Sequence, residues 1–174
     1  SKISWSLPKI KEDLLGADTH KGGIALELLA FRMLWDLGLD VRGMRVRSSQ
    51  TGHGEADLIA EGSHLLFSRW TVQCKRTQAK VSLEDVAKEV GIATVAKAHV
   101  IVMVTTSDFT QDAYDYAAEV TNTNHLQFLF INGKVVGQYL NDDRSSLWDY
   151  VLENARRVMQ AKRGQSIPLP LVTP

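Results

Sequence analysis

The run from His99 to Thr105, HVIVMVT, constrains the fold of this chain more than any other stretch. It is short, nearly all apolar and β-branched, so the strand it forms must be covered on both faces. A strand of that kind sits at the centre of a sheet with helices above and below. The neighbouring segments supply those partners. Gly22-Gly23 opens an amphipathic helix over roughly Ile24 to Leu37, with Ile24, Leu28, Phe31, Leu34 and Trp35 at helical spacing and Gly38 as the terminating glycine. Leu39 to Arg47 reads as the first strand, with Gly43 marking a bulge. Two more strands follow, joined by a turn near Leu65. Ser82 caps a helix, with Asp85 three residues on, close to a capping box, and Leu83, Val86, Val90 and Ala93 facing inward. After the central strand come a helix from about Gln111 to Val120, a strand from Leu126 to Ile131, and a short helix or strand over Val135 to Leu140. Ser145 or Ser146 caps a last helix with Leu147, Trp148, Val151, Leu152, Ala155, Val158 and Met159 on one side, a stripe suited either to its own sheet or to a second subunit. The order gives an antiparallel meander continued by a βαβ crossover. That is an α/β fold: a mixed β-sheet flanked by helices on both faces. Residues 1–21 read as a leader, either a short helix over Ile10 to Leu15 or a linker. Residues 22–141 form the core, and 142–174 the last helix and an extended, proline-bearing tail.

Composition narrows the class. At 174 residues and 44% apolar, the chain is long enough for one well-buried core. No apolar run approaches the ~18 residues of a membrane span. Its single cysteine, Cys74, excludes an internal disulfide and a cysteine-built zinc site, and fits a reducing cytoplasm. The formal net charge of zero gives no global attraction to nucleic acid, so any such binding must use local patches. Two stand out: Arg42, Arg45 and Arg47 on the first strand, and Lys75, Arg76 and Lys80 just past the third. Each is either a solvated face or a contact surface.

The chemistry is concentrated between Gly52 and Thr77. Asp57 interrupts the apolar run Ala56, Leu58, Ile59, Ala60, and Gln73 and Lys75 follow Val72 on the next strand. Alternation puts Gln73 and Lys75 on one face and Cys74 on the other. A turn near Leu65 sets Asp57 opposite Gln73, so an acid, an amide and an amine converge. Charged groups in a sheet core are costly unless paired or used. The pattern therefore has two readings: a buried Asp–Lys pair with Gln73 bonded to a neighbour, or a site for a metal ion and a phosphodiester. Glu27, within the apolar set of the first long helix, either reaches solvent or points at that site. His53 lies in the loop before Asp57, where it is either a loop residue or a DNA contact. Thr105, Thr106 and Ser107 end the central strand, where they either line a phosphate path or cap the next helix. Cys74 reads as a small buried residue rather than a nucleophile.

The ordered set GGIALELLAFRMLWDLGLDV, GEADLIA, TVQCKRT, HVIVMVTTSDFTQDAYDYA and FLFING resembles the Mrr-type restriction endonucleases of the PD-(D/E)XK nuclease superfamily, from about Gly22 to Leu140. The resemblance implies a restriction-endonuclease-like fold and Mg²⁺-dependent hydrolysis of DNA, with Mn²⁺ able to substitute. It implies that Asp57 binds the metal, that Gln73 stands for the usual acid, that Lys75 is the catalytic lysine and that Glu27 faces the site. On this reading the amide oxygen of Gln73 and the backbone carbonyl of Cys74 are further metal ligands, and Glu27 holds a metal-bound water or a second ion. Arg76, Lys80, Thr106, Ser107 and His53 become candidate DNA contacts. Ala56 stands where the superfamily motif has its proline. Members often carry a separate DNA-reading domain for which these residues leave no room, so the chain is expected to be a cleavage domain that pairs as a homodimer or works with a recognition or motor subunit. A repair or recombination nuclease of the same fold, and a catalytically silent DNA-binding or assembly module, are the competing readings.

Overall fold

The structure is a computed structural model that describes residues 6–47, 54–63, 66–141 and 144–164. Two helices come first, α1 (Leu7–Leu15) and α2 (Thr19–Asp36), then strands β1 (Asp40–Arg47), β2 (Glu55–Gly62) and β3 (Ser68–Lys75). Helix α3 (Leu83–Val95) leads to β4 (Val100–Thr105), α4 (Gln111–Thr123), β5 (Gln127–Ile131), α5 (Gly133–Leu140) and α6 (Arg144–Gly164). The sheet order is β1-β2-β3-β4-β5. β1, β2 and β3 pair antiparallel, and β3, β4 and β5 pair parallel. This is the expected mixed sheet. Every residue of β4 is buried, as the apolar run required.

Two cores confirm that helices cover both faces. On one, α1, α2 and α5 pack on Leu58, Val72, Val102, Val104 and Leu129. On the other, Val86, Ala93, Ala113 and Ala117 of α3 and α4 pack on Ile101, Met103, Phe128 and Phe130. The leader contributes to the first core through Ile10 and Leu14, each almost wholly buried. Burying two such side chains stabilises the docking of α1 by about 4 kcal/mol in all.

Several boundaries differ from the sequence reading. α2 starts at Thr19 rather than after Gly22-Gly23, because the Asp18 carboxylate accepts from the His20 and Lys21 amides and caps it. Gly22 lies inside the helix for a packing reason: a Cβ there would fall 2.3 Å from Arg76 Nε. Gly38 does end the helix in the left-handed region, φ 76°. Its amide donates to the Trp35 carbonyl, and Leu39 N donates to the Leu34 carbonyl. Trp35 is 62% exposed, so it leaves the apolar face assigned to it, which is carried instead by Ala25, Leu26, Leu29, Met33 and Leu34. The bulge falls where Gly43 indicated, with the register shifting between Val41 and Gly43. Residues 133–140 are helical, capped by Asn132. α6 begins at Arg144, so Ser145 and Ser146 lie within its first turn. Leu147 is buried, whereas Trp148, Leu152 and Met159 are each close to half exposed. Among the described residues no helix is long and apolar enough to cross a membrane.

Candidate active site

The β2–β3 ladder runs from Gly62–Ser68 to Leu58–Val72. One step further, Asp57 faces Gln73, and there a side chain takes over from the backbone. Asp57 Oδ2 accepts the Cys74 amide at 2.6 Å and Gln73 Nε2 at 2.9 Å. The carboxylate thus occupies the place of a ladder carbonyl, and the acid and amide expected to meet do so. Asp57 is only 8% exposed. Burial pushes its pKa up to about 6, opposed by the Cys74 amide, with Glu27 and Glu55 raising it and Arg45 lowering it.

Because Nε2 of Gln73 is spent on Asp57, its Oε1 is left buried with no partner among the described residues. Such an acceptor is costly unless something outside the chain completes it. Lys75, two residues on and on the same face, ion-pairs with Asp85 of α3. Asp85 was legible only as a cap. It closes the capping box with Ser82 and also holds the lysine. Burial raises the Asp85 pKa, but Lys75 and Ser82 outweigh it, so the group lies below its ordinary value.

Glu27 does not reach out to solvent. Its two oxygens take the fork of Arg45 from β1 at 2.9 and 3.1 Å. Arg45 holds a left-handed backbone, φ 51°, just past the bulge. Arg42 pairs with Asp40 and Glu61. The side chain of Arg47 lies outside the described residues, as does His53.

The expected DNA contacts separate. Arg76 donates to the carbonyls of Leu14 (3.1 Å) and Gly16 (2.6 Å), so its guanidinium holds the end of α1. Thr106 Oγ1 donates to the Thr77 carbonyl and accepts its amide, and Ser107 Oγ donates to the Gln78 carbonyl. These hydroxyls tie the loop after β3 to the end of β4. Lys80 stands exposed beyond that loop. Burial holds the Cys74 thiol well above its ordinary pKa, which suits a packing residue and not a nucleophile.

Sequence reading missed Glu89 entirely. It is 2% exposed on the inner face of α3, and burial pushes its pKa up to about 7. The signal was available, since Glu89 lies three residues after Val86 and four before Ala93 in the inward stripe.

Among the described residues, no group of three or more His, Cys, Asp or Glu stands together as a metal cluster. A hard divalent cation nevertheless fits the donor set, because Asp57 offers a carboxylate and Gln73 Oε1 an unused oxygen.

The two raised carboxyls make a pH prediction. Each folded-state pKa exceeds its unfolded value, so the native state holds protons that the unfolded chain has released. Their contribution is intact below about pH 4 and is lost as pH rises to about 6 for Asp57 and about 7 for Glu89. The loss is on the order of 3 kcal/mol per group. Urea unfolding in EDTA at pH 4 and pH 8 is expected to show this fall, and Asp57→Asn and Glu89→Gln should each flatten it.

The restriction endonuclease family model Mrr_cat matches residues 22–131, more than half of the 174-residue chain. Solved structures of similar fold include AF1548, a protein of unknown function, with 13% identity over 79% of this chain and 96% of that one, TM-score 0.50. The DNA modification-dependent restriction endonuclease AspBHI aligns at 14% identity over 87% of this chain and 40% of its own, TM-score 0.54. The MspJI restriction endonuclease, solved with a 27-mer oligonucleotide, aligns at 21% identity over 88% of this chain and 34% of its own, TM-score 0.47. At these identities the likeness to AF1548 and AspBHI is one of fold, and the chain spans less than half the length of either restriction enzyme. No curated protein matches the sequence. With the family model spanning α2 to β5, and the sheet and its helices as that resemblance required, the chain belongs to the restriction endonuclease family.

Proposed function

We propose that this chain is the DNA-cleaving domain of a restriction system acting in the cytoplasm, hydrolysing phosphodiester bonds with Mg²⁺, or Mn²⁺ in its place, at Asp57 and Gln73. The observation that carries the reading is the buried, unpartnered Oε1 of Gln73, fixed in orientation by its own amide bond to Asp57. When bound, the cation polarises the phosphate and acidifies a water molecule. The chain does the rest. The Cys74 amide and Gln73 Nε2 hold the Asp57 carboxylate in one rotamer. Asp85 takes one donor of the Lys75 ammonium and leaves two for a phosphate oxygen or the attacking water. Arg45 fixes Glu27 near Asp57 and offsets part of its charge. The backbone carbonyl of Cys74 is a further candidate ligand. Lys80 is the residue best presented to the DNA backbone, whereas Arg76, Thr106 and Ser107 serve by holding loops and the end of α1.

Incubating the protein with duplex, methylated, flap and junction oligonucleotides in Mg²⁺ or EDTA tests this reading. Mg²⁺-dependent cuts in duplex or methylated duplex support it. Cleavage confined to flaps or junctions would move the chain to repair or recombination.

Gln73→Glu is expected to keep activity and tighten the apparent Mg²⁺ affinity several-fold. It replaces a hydrogen bond to Asp57 by carboxylate repulsion, so the metal-free protein should lose about 1–3 kcal/mol of stability. Mg²⁺ titration of cleavage and urea unfolding in EDTA check the two halves. A weaker Mg²⁺ affinity contradicts Gln73 as a ligand.

Double-strand cleavage requires two sites of opposite orientation, most simply in a two-fold dimer. The exposed Trp148, Leu152 and Met159 of α6 give a surface for one. Sedimentation equilibrium at micromolar protein, with and without duplex, should show a dimer in at least one condition. A strict monomer in both that still breaks both strands would refute pairing.

A further inference from the structure

Glu89 is a buried acid with no visible reason to be buried. It is 2% exposed, and it has neither a hydrogen bond nor an ion pair among the described residues. Its height in the fold is fixed by two neighbours. Asp85, one helical turn earlier on α3, grips Lys75. Four helical residues descend about 6 Å. Two strand residues descend about 6.6 Å. α3 covers the sheet face that carries Lys75, since its Val86 and Ala93 share a core with Ile101 and Met103. Those two residues are the β4 register partners of Thr71 and Gln73. Descending from the Lys75–Asp85 contact, Glu89 therefore stands at the level of Gln73, across from the oxygen that has no partner. Apart from burial, the charges acting on Glu89 are those of Lys88, Asp57, Lys75 and Asp85, which places it within electrostatic reach of the Asp57 carboxylate.

A second, independent group lies one step further down the same sheet face. Thr71 is 1% exposed and its Oγ1 has no partner among the described residues. It lies two residues before Gln73, on the same face of β3. Two buried polar atoms on this face of β3, Gln73 Oε1 and Thr71 Oγ1, are thus left without a partner among the described residues, and the buried Glu89 of α3 stands at the level of the first. Packing alone would have filled these positions with apolar residues.

We propose that Glu89 supplies, from α3, the carboxylate that Gln73 lacks on β3, acting as an oxygen donor toward the divalent cation at Asp57 and Gln73, directly or through one water molecule held by Thr71 Oγ1. The proposal rests on the cation reading of that site. It explains how the strand can carry a neutral amide: two negative charges still face the cation, one on β2 and one on α3. It also makes Glu89 a residue whose removal weakens metal binding without weakening the fold.

Mn²⁺ binding by electron paramagnetic resonance, without DNA, reads this apart from cleavage. The proteins are wild type, Asp57→Asn, Glu89→Gln, and the double variant Gln73→Glu with Glu89→Gln. Glu89→Gln is expected to bind Mn²⁺ about tenfold or more weakly than wild type. Its metal-free unfolding temperature should match or exceed that of wild type, because an uncompensated buried acid is gone. The double variant, with the charge returned to β3, should recover affinity to within about threefold of wild type. Glu89→Gln binding Mn²⁺ as wild type does, while Asp57→Asn has lost it, overturns the role of Glu89 and leaves the cation site standing. Unaltered Mn²⁺ binding by Asp57→Asn sinks the cation site and this proposal with it. A Glu89→Gln protein that is unfolded or markedly less stable in EDTA shows a structural role and overturns the proposal, as does a double variant that fails to regain affinity.

Discussion

Asp57→Ala is expected to fold and to cleave DNA at least about a thousandfold more slowly than wild type, the several kcal/mol that a correctly held metal ion supplies to a charged transition state. The fold should survive because the change has opposed effects. It removes a buried acid whose pKa is already pushed up to about 6. It also leaves the Cys74 amide and Gln73 Nε2 without their acceptor, at about 1–3 kcal/mol for each group that finds no water. Asp57→Asn keeps an oxygen for the Cys74 amide and should be the more stable of the two while being equally inactive. Circular dichroism and unfolding curves establish the fold, and single-turnover cleavage measures the loss. Near wild-type cleavage by a folded Asp57→Ala protein would sink the site assignment.

Lys75→Ala should lose about two to four orders of magnitude in cleavage and keep both Mg²⁺ and DNA binding, since the ammonium serves charge that develops in the transition state. Its partner survives the loss, because Asp85 still closes the capping box with Ser82. Fluorescence anisotropy with labelled duplex and a metal titration separate binding from chemistry. If metal binding disappears together with cleavage, Lys75 is holding the fold.

What the sequence made legible follows one physical division. Features written in neighbouring residues could be read: the buried β4 run, the Ser82–Asp85 cap, the left-handed Gly38, the bulge at Gly43, and Asp57 opposite Gln73 once the turn was placed. Features that depend on which distant residue arrives could not. Glu27 and Arg45 were noticed separately, yet nothing in their spacing says that a bulge and a left-handed residue bring them together. The Gly22-Gly23 pair read as the opening of the helix, but Gly22 lies inside it and makes room for Arg76, itself drawn away to the end of α1. Trp35 fits the apolar spacing of α2 and still lies on the outside, since an 18-residue helix offers more apolar surface than one sheet covers. Glu89 was passed over because inward positions were sought among apolar residues alone.

The most direct test of the central claim is the conversion of supercoiled plasmid, methylated and unmethylated, by wild-type protein in Mg²⁺, wild-type protein in EDTA, and Asp57→Asn protein in Mg²⁺. Asp57 and Gln73 as the centre of a cation-dependent nuclease predict nicked or linear DNA in the first reaction only. Equal conversion in EDTA or by Asp57→Asn, or intact plasmid of both kinds with folded wild-type protein in Mg²⁺ and in Mn²⁺, would contradict it.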